Sequence, residues 1–135
     1  MASAPIFAAT PKVGSTFIST ANTNRNGSGT WANVYTAGTL GSLIYKIQIN
    51  ATGSTTAGVV RLLQTDNTNL LTSTGSGLLE EIIVPAITPS TTVRVFEYVL
   101  TYPQNSPLIL ISGSSLKAAT NNAEPFMVFA YGGDI

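Results

Sequence analysis

Residues 42–66, SLIYKIQINATGSTTAGVVRLLQTD, constrain the fold more than any other stretch of the chain. Apolar side chains recur there at every second position from Leu43 to Ile49, and a period of two indicates a β-strand with one buried face. The linker ATGSTTAG is small, polar and glycine-containing, and a mostly apolar, β-branched run follows at residues 59–65. Two such strands joined by such a linker predict an antiparallel hairpin with a long loop.

Similar strand-length runs recur along the rest of the chain, separated by Gly, Pro, Asn and Ser. Residues 91–102 alternate over the greatest length after the hairpin and predict a second long strand. Residues 78–87, LLEEIIVPAI, are the best candidate for a helix, but the β-branched end of this run and Pro85 argue against more than a turn or two. About eight strands with regular turn signals predict an all-β domain, either a sandwich or a barrel.

The N-terminal residues 1–11 are mostly apolar, yet Pro5 and Pro11 keep them from forming a helix. We therefore predict two parts, an extended N-terminal arm over residues 1–12 and one β-domain over residues 13–135. The arm has to bury Ile6 and Phe7, either along its own domain as an edge strand or against a neighbouring subunit. Both alternatives stay open at this point.

Charge is scarce in this chain. Charged residues make up 9% and the formal net charge is zero, whereas about a quarter of residues are charged in ordinary soluble domains. Six scattered Lys and Arg residues cannot form the basic stripe that nucleic-acid binding requires, or the clusters that attract anionic membranes. Low self-repulsion permits close packing with other copies or a larger assembly. We also predict neither an export signal nor a membrane span.

The chain has no His and no Cys, which excludes the Ser-His-Asp and Cys-His arrangements and nearly all zinc, copper and non-haem iron sites. Glu80 and Glu81 are neighbours, and on a strand they face opposite sides, so they are poorly placed as an acid and base pair. Asp66 and Asn69 delimit a short oxygen-rich run that an Asx-type turn explains better than a cation site. We predict no enzyme activity, no catalytic residue, no cofactor and no metal.

Candidate contact residues lie on a loop and on two strands. The loop is rich in Asn, Gly, Ser and Thr, and it carries Asn24 and Arg25, although a lone solvated arginine would look the same. Trp31 follows it and indicates packing in the core or at an interface rather than a ligand platform. Arg61 lies within an apolar strand and needs a partner, for which Glu97 is the candidate. For Glu97 itself, Arg94 is the other possible partner, and a solvated outer face is the alternative.

Four stretches, APIFAATPKVG, ISTANTNRNGSGTW, IYKIQINATGSTTAGVVRLL and SLKAATNNAEPFMVFAYGGD, together resemble a group of small proteins from tailed bacteriophages and prophages. Among phage virion proteins, the chain is similar to capsid decoration (head cement) proteins. The resemblance implies a compact antiparallel β-sandwich, jelly-roll-like, that binds the major capsid protein as a homotrimer without any chemistry. It also implies synthesis in the bacterial cytoplasm and a final place on the outer surface of the head. The interface residues that we predict for this role are Ile6, Phe7, Asn24, Arg25, Trp31, Arg61 and Glu97.

Two other classes of function stay open from the sequence. One is a tail- or fibre-associated module that recognises a host glycan, with Trp31 and Tyr35 stacking on sugar rings and the Asn- and Thr-rich loops supplying hydrogen bonds. The other is a free carbohydrate-binding β-sandwich that is unrelated to virions.

Overall fold

The computed structural model describes residues 10–65 and 76–135, and these residues form strands, turns and loops without a helix. Accordingly, this part of the chain contains no helix that could cross a membrane. The strands in chain order are β1 Thr10–Ile18, β2 Ala32–Thr36, β3 Ser42–Ala51, β4 Gly58–Thr65, β5 Ser76–Val84, β6 Glu97–Thr101, β7 Leu108–Leu110, β8 Ser115–Thr120 and β9 Phe126–Asp134.

The strands form two antiparallel sheets that pack face to face. The five-stranded sheet has the order β1-β9-β3-β6, with β7 also paired to β3, and the four-stranded sheet has the order β2-β8-β4-β5. Strands that are distant in sequence are therefore neighbours in both sheets, which is the double Greek-key arrangement of a jelly roll. The predicted all-β, jelly-roll-like antiparallel sandwich is confirmed.

The predicted hairpin is wrong, because β3 lies in the five-stranded sheet and β4 in the four-stranded sheet. Both strands do exist, and the linker between them crosses from one sheet to the other. Ile47 and Ile49 of β3 and Val60 and Leu62 of β4 are completely buried in the same core. Two half-buried strands joined by a short polar linker can pair side by side in one sheet, or they can lie in two sheets and face each other across the core. The local sequence pattern is the same in both arrangements.

Side chains from the inner faces of both sheets build the core. Aliphatic residues dominate it, and Phe96 and Phe126 meet edge to face with their ring centroids 6.3 Å apart. Phe96 precedes β6, so the segment before that strand also contributes to the core.

Two predicted boundaries differ from the structure. The long strand predicted over residues 91–102 is reduced to β6, because a turn forms at Ser90, whose hydroxyl oxygen accepts hydrogen bonds from the backbone N–H groups of Thr92 and Val93. Such local side-chain bonds compete with a strand ladder. At the N-terminus, β1 begins at Thr10 and pairs with β9. The rest of the predicted arm, with Ile6 and Phe7, lies outside the described residues.

Candidate functional site

The loop that joins β1 to β2, residues 19–31, crosses the outer face of the four-stranded sheet. The backbone N–H of Asn22 donates to the carbonyl oxygen of Thr120 on β8. Beneath the loop, Trp31 packs with Leu63 and Ala119 in a small second cluster apart from the main core. Clusters of this kind are typical beneath long loops. The loop is therefore packed onto the sheet and does not project freely from it.

Arg61 anchors this loop from below. Its side chain is 2% exposed, and all three of its nitrogens donate a hydrogen bond. Nε reaches Oε2 of Glu81 at 2.7 Å, Nη1 the backbone carbonyl oxygen of Asn22 at 2.9 Å, and Nη2 Oδ1 of Asn121 at 3.1 Å. A planar guanidinium is suited to satisfying several acceptors at once in a buried position.

Glu81 joins the buried arginine to the loop. It stands directly opposite Arg61 in the β4–β5 register, and the same Oε2 atom also accepts a hydrogen bond from Nε of Arg25 at 2.7 Å. Hydrogen bonds from Arg25 and then from Arg61 lower the pKa of Glu81 below its ordinary value. Because the Arg25 side chain is 60% exposed, water screens its part of this network.

Four of the seven predicted contact residues, Asn24, Arg25, Trp31 and Arg61, are thus on or directly beneath one loop. Arg25, Trp31 and Arg61 hold this loop against the sheet, whereas Asn24 contacts Asn22 within the loop itself. Arg25 is ion-paired rather than solvated alone.

Glu97 is not the partner of Arg61, and this prediction is wrong. Its Oε1 atom lies 3.1 Å from Nη2 of Arg94, the other partner considered. Its Oε2 atom accepts a hydrogen bond from Nε2 of Gln48 at 3.3 Å. Glu97 is exposed and belongs to β6, which pairs with β3 in the five-stranded sheet. The two sheets of the sandwich therefore separate Arg61 from Glu97.

The residue that sequence reasoning missed is Glu81. Glu81 lies opposite Arg61, and the sequence indicates this position only if β4 is assumed to pair with β5. The predicted β3–β4 hairpin instead gave β4 the wrong neighbouring strand. Asn22 and Asn121 were missed for a related reason, because their contacts with Arg61 join residues far apart in sequence.

Trp31 and Tyr35 cannot form the stacking platform considered for a glycan. Trp31 is 8% exposed, and its Nε1–H donates to the backbone carbonyl oxygen of Ser28 at 2.9 Å. Tyr35 is 1% exposed, and its hydroxyl donates to Oδ1 of Asp134 at 3.1 Å. Burial is the main reason why the pKa of Tyr35 rises to about 12. Both rings are parts of the folded interior.

The described residues contain no group of three or more acidic, histidine or cysteine side chains that could hold a metal ion. The cation candidate at Asp66–Asn69 lies outside the described residues. Within the described ranges, buried side-chain nitrogen and oxygen atoms all have a hydrogen-bond partner. The prominent features that remain are therefore on the surface.

One of these features is an apolar end patch, which we define as Leu40, Ile109, Ile111 and Ile135. These side chains are 74%, 57%, 53% and 36% exposed, respectively. The four residues lie near the start of β3: Ile109 pairs with Leu43, Ile111 lies close to Gly41, and the backbone N–H of Ile135 donates to the carbonyl oxygen of Gly41. Several exposed aliphatic groups at one end of a domain mark interaction sites more often than isolated ones do.

No protein-family model matches this chain, and no curated protein sequence does. Among solved structures, the chain is similar to a carbohydrate-binding module from the family 9 glycoside hydrolase Cel9A of Ruminococcus flavefaciens FD-1. The two are 15% identical, the match covers 67% of this chain and 71% of that module, and the TM-score is 0.40. A likeness of this size carries no information about function.

Proposed function

We propose that this chain is a non-enzymatic structural protein of a phage virion, a decoration protein that binds the assembled coat lattice of the head. The observation that carries the proposal is the apolar end patch. Its four aliphatic side chains are exposed although the domain has a complete core of its own. An exposed apolar surface of this kind is typical of a site that a partner protein covers. Because the chain carries little charge, electrostatic repulsion of such a partner is weak.

The first described residue of the chain lies at the same end of the molecule as the apolar end patch. Thr10, the first residue of β1, pairs with Asp134, next to Ile135 of the apolar end patch. The predicted anchors Ile6 and Phe7 precede Thr10 by only a few residues. In this proposal the arm and the apolar end patch both contact the coat lattice, which buries more area than either one alone.

The mechanism is stabilisation by mass action. A protein that binds the assembled lattice and not the free coat subunits shifts the equilibrium towards the lattice. Each copy buries a modest area, and a homotrimer multiplies the effect because its three contacts form together. The partners in this proposal are the major capsid protein and two further copies of the chain.

A reconstitution experiment tests the proposal. Purified protein is added to heads that lack it, and occupancy is measured by mass spectrometry and cryo-electron microscopy. We expect wild-type protein to bind heads and the double variant Leu40→Ser, Ile111→Ser to lose most of this binding. Ile83→Ser is the matched control, because Ile83 is 78% exposed but lies on β5, near the opposite end of the sandwich.

The outcomes separate the two parts of the proposal. Wild-type protein that binds tails, or neither heads nor tails, contradicts the decoration role itself. Full occupancy by the double variant contradicts the apolar end patch as the contact surface. Since all substituted side chains are exposed, each variant should keep the melting temperature of the wild type within a few degrees, about 5 °C at most.

A further inference from the structure

The outer face of the five-stranded sheet has an unusual distribution of side chains. The strand register places three rows of four residues on this face, which we call the outer grid. The rows, each read from β1 through β9 and β3 to β6, are Val13, Tyr131, Lys46 and Thr101; Ser15, Phe129, Gln48 and Val99; and Phe17, Met127, Asn50 and Glu97.

The β1 and β9 half of the outer grid is aromatic and apolar. Phe17 is 53% and Val13 57% exposed. The rings of Phe129 and Tyr131 are half-buried, with centroids 6.2 Å apart and planes that differ by 27°. A solvated outer face would carry mainly polar residues at these positions. Neighbouring exposed rings instead provide an ordered apolar surface for a ligand.

The β3 column beside it consists of polar groups that can form hydrogen bonds. Gln48 stands opposite Phe129 and Asn50 opposite Met127. Nε2 of Gln48 contacts Oδ1 of Asn50 at 3.5 Å and Oε2 of Glu97 at 3.3 Å, and both distances are longer than the usual 2.7–3.2 Å. A ligand with hydroxyl groups could replace these weak contacts with shorter ones.

The charge of the outer grid indicates a neutral ligand. Glu97 is ion-paired with Arg94, and the Nζ atom of Lys46 lies over the Tyr131 ring, 4.9 Å from its centroid. Lys46 and Glu97 give the grid one charge of each sign. A polyanion would meet the Glu97 carboxylate, and a polycation would meet the Lys46 ammonium group, so neither is complementary to this face.

The size of the outer grid indicates a small ligand rather than a protein. Four strands and five residue positions along each strand span about 14 by 13 Å between the outermost Cα atoms. This Cα outline encloses less than half of the roughly 800 Å² that each partner buries in a stable protein–protein interface. The outer grid by itself therefore matches a small ligand better than a second copy of the chain.

We propose that the outer grid is a binding site for a neutral glycan. A pyranose ring has apolar C–H faces and hydroxyl groups at its edge, which matches an aromatic surface with adjoining amides. A sugar C–H face packs on the Phe129–Tyr131 pair and displaces the Lys46 ammonium group that lies over the Tyr131 ring, while Gln48 and Asn50 form hydrogen bonds with the hydroxyls. This inference does not depend on the decoration role, since it concerns a different surface from the apolar end patch.

The proposal is tested by a nuclear magnetic resonance titration of the full chain with cellohexaose, maltohexaose and chitohexaose. Each oligosaccharide is added up to about 10 mM, because a small open site is expected to bind weakly. We expect at least one of these oligosaccharides to shift the backbone amide signals of β9 and β3 in a saturable manner. The signals of the β1–β2 loop on the other sheet should stay in place.

Variants then identify the contacts. We expect Phe129→Ala and Tyr131→Ala each to weaken binding about tenfold or more, and Gln48→Ala several-fold, as for the loss of one good contact. Ile83→Ser on the other sheet is the matched control and should bind like the wild type. The proposal is overturned if none of the three oligosaccharides shifts any signal, if the shifts map elsewhere, or if Gln48→Ala and a folded aromatic variant bind unchanged.

Discussion

The substitution Arg61→Met directly tests how the β1–β2 loop is held. Methionine keeps much of the apolar volume of the arginine stem but removes the guanidinium group, and with it the hydrogen bonds to Glu81, Asn22 and Asn121. The buried carbonyl oxygen of Asn22 loses its charged donor, and leaving a buried polar group unsatisfied costs about 1–3 kcal/mol. The amide of Asn121 is only partly buried and can turn towards water. We therefore expect the free energy of unfolding to fall by about 3 kcal/mol.

Two measurements check this magnitude. Urea unfolding followed by circular dichroism gives the free energy, and thermal unfolding should show a melting temperature about 10 °C lower for a domain of this size. Trp31 is the sole tryptophan and packs beneath the loop, so its fluorescence reports on the loop itself. A red shift of its emission in the folded variant would show that the loop has loosened.

The matched control is Arg25→Met, which removes the other arginine that contacts Glu81. Because Arg25 is largely exposed, its loss should change the free energy of unfolding by about 0–1 kcal/mol. If Arg61→Met resembles Arg25→Met in stability and Trp31 emission is unchanged, the guanidinium of Arg61 does not hold the loop.

Two further predictions concern acid stability and strand packing. Because Glu81 has a lower pKa in the folded chain than its ordinary value of 4.5, its ionised form stabilises the fold above that pH, and this contribution is lost as the pH falls through the lowered folded value. Glu81→Gln should therefore make the unfolding free energy less dependent on pH below 4.5, and an unchanged dependence contradicts the role of the ion pairs. Gly14→Ala should cost about 1–3 kcal/mol or more, because its new Cβ would lie 2.2 Å from the backbone oxygen of Val34. Gly77→Ala is its control, with nothing within 4 Å of the new Cβ, and equal melting temperatures for the two variants would contradict this packing.

Local patterns predicted the elements of the sandwich well. The alternation around Ile47 and Ile49 identified β3 and its buried face, since a period of two is a property of the strand itself. The LLEEIIV run formed a strand rather than a helix, as its β-branched end and Pro85 indicated. Contacts within one short segment do not depend on the rest of the chain, and such features can be read from the sequence.

Pairings between distant segments could not be read in this way. Glu97 was predicted as the partner of Arg61, but the residue opposite Arg61 in the β4–β5 ladder is Glu81. A period of two says which side of a strand is buried, but it does not say which other strand lies beside it. The predicted pairing of β3 with β4 did not place Glu81 next to Arg61, because Glu81 lies on β5. Trp31 was expected in the core or at an interface, and it packs beneath the β1–β2 loop in a cluster separate from the main core.

The sequence by itself predicted the all-β class, and its lack of His and Cys excluded the Ser-His-Asp and Cys-His arrangements. Both conclusions depend only on local periodicity and on which functional groups are present. The tertiary structure alone decided which strands are neighbours. It thereby joined Arg61 to Glu81, buried Trp31 and Tyr35, and placed Phe129 and Tyr131 on an outer face. The physical reason is that jelly-roll pairing joins strands far apart in the chain, so each surface combines residues whose proximity no local pattern encodes.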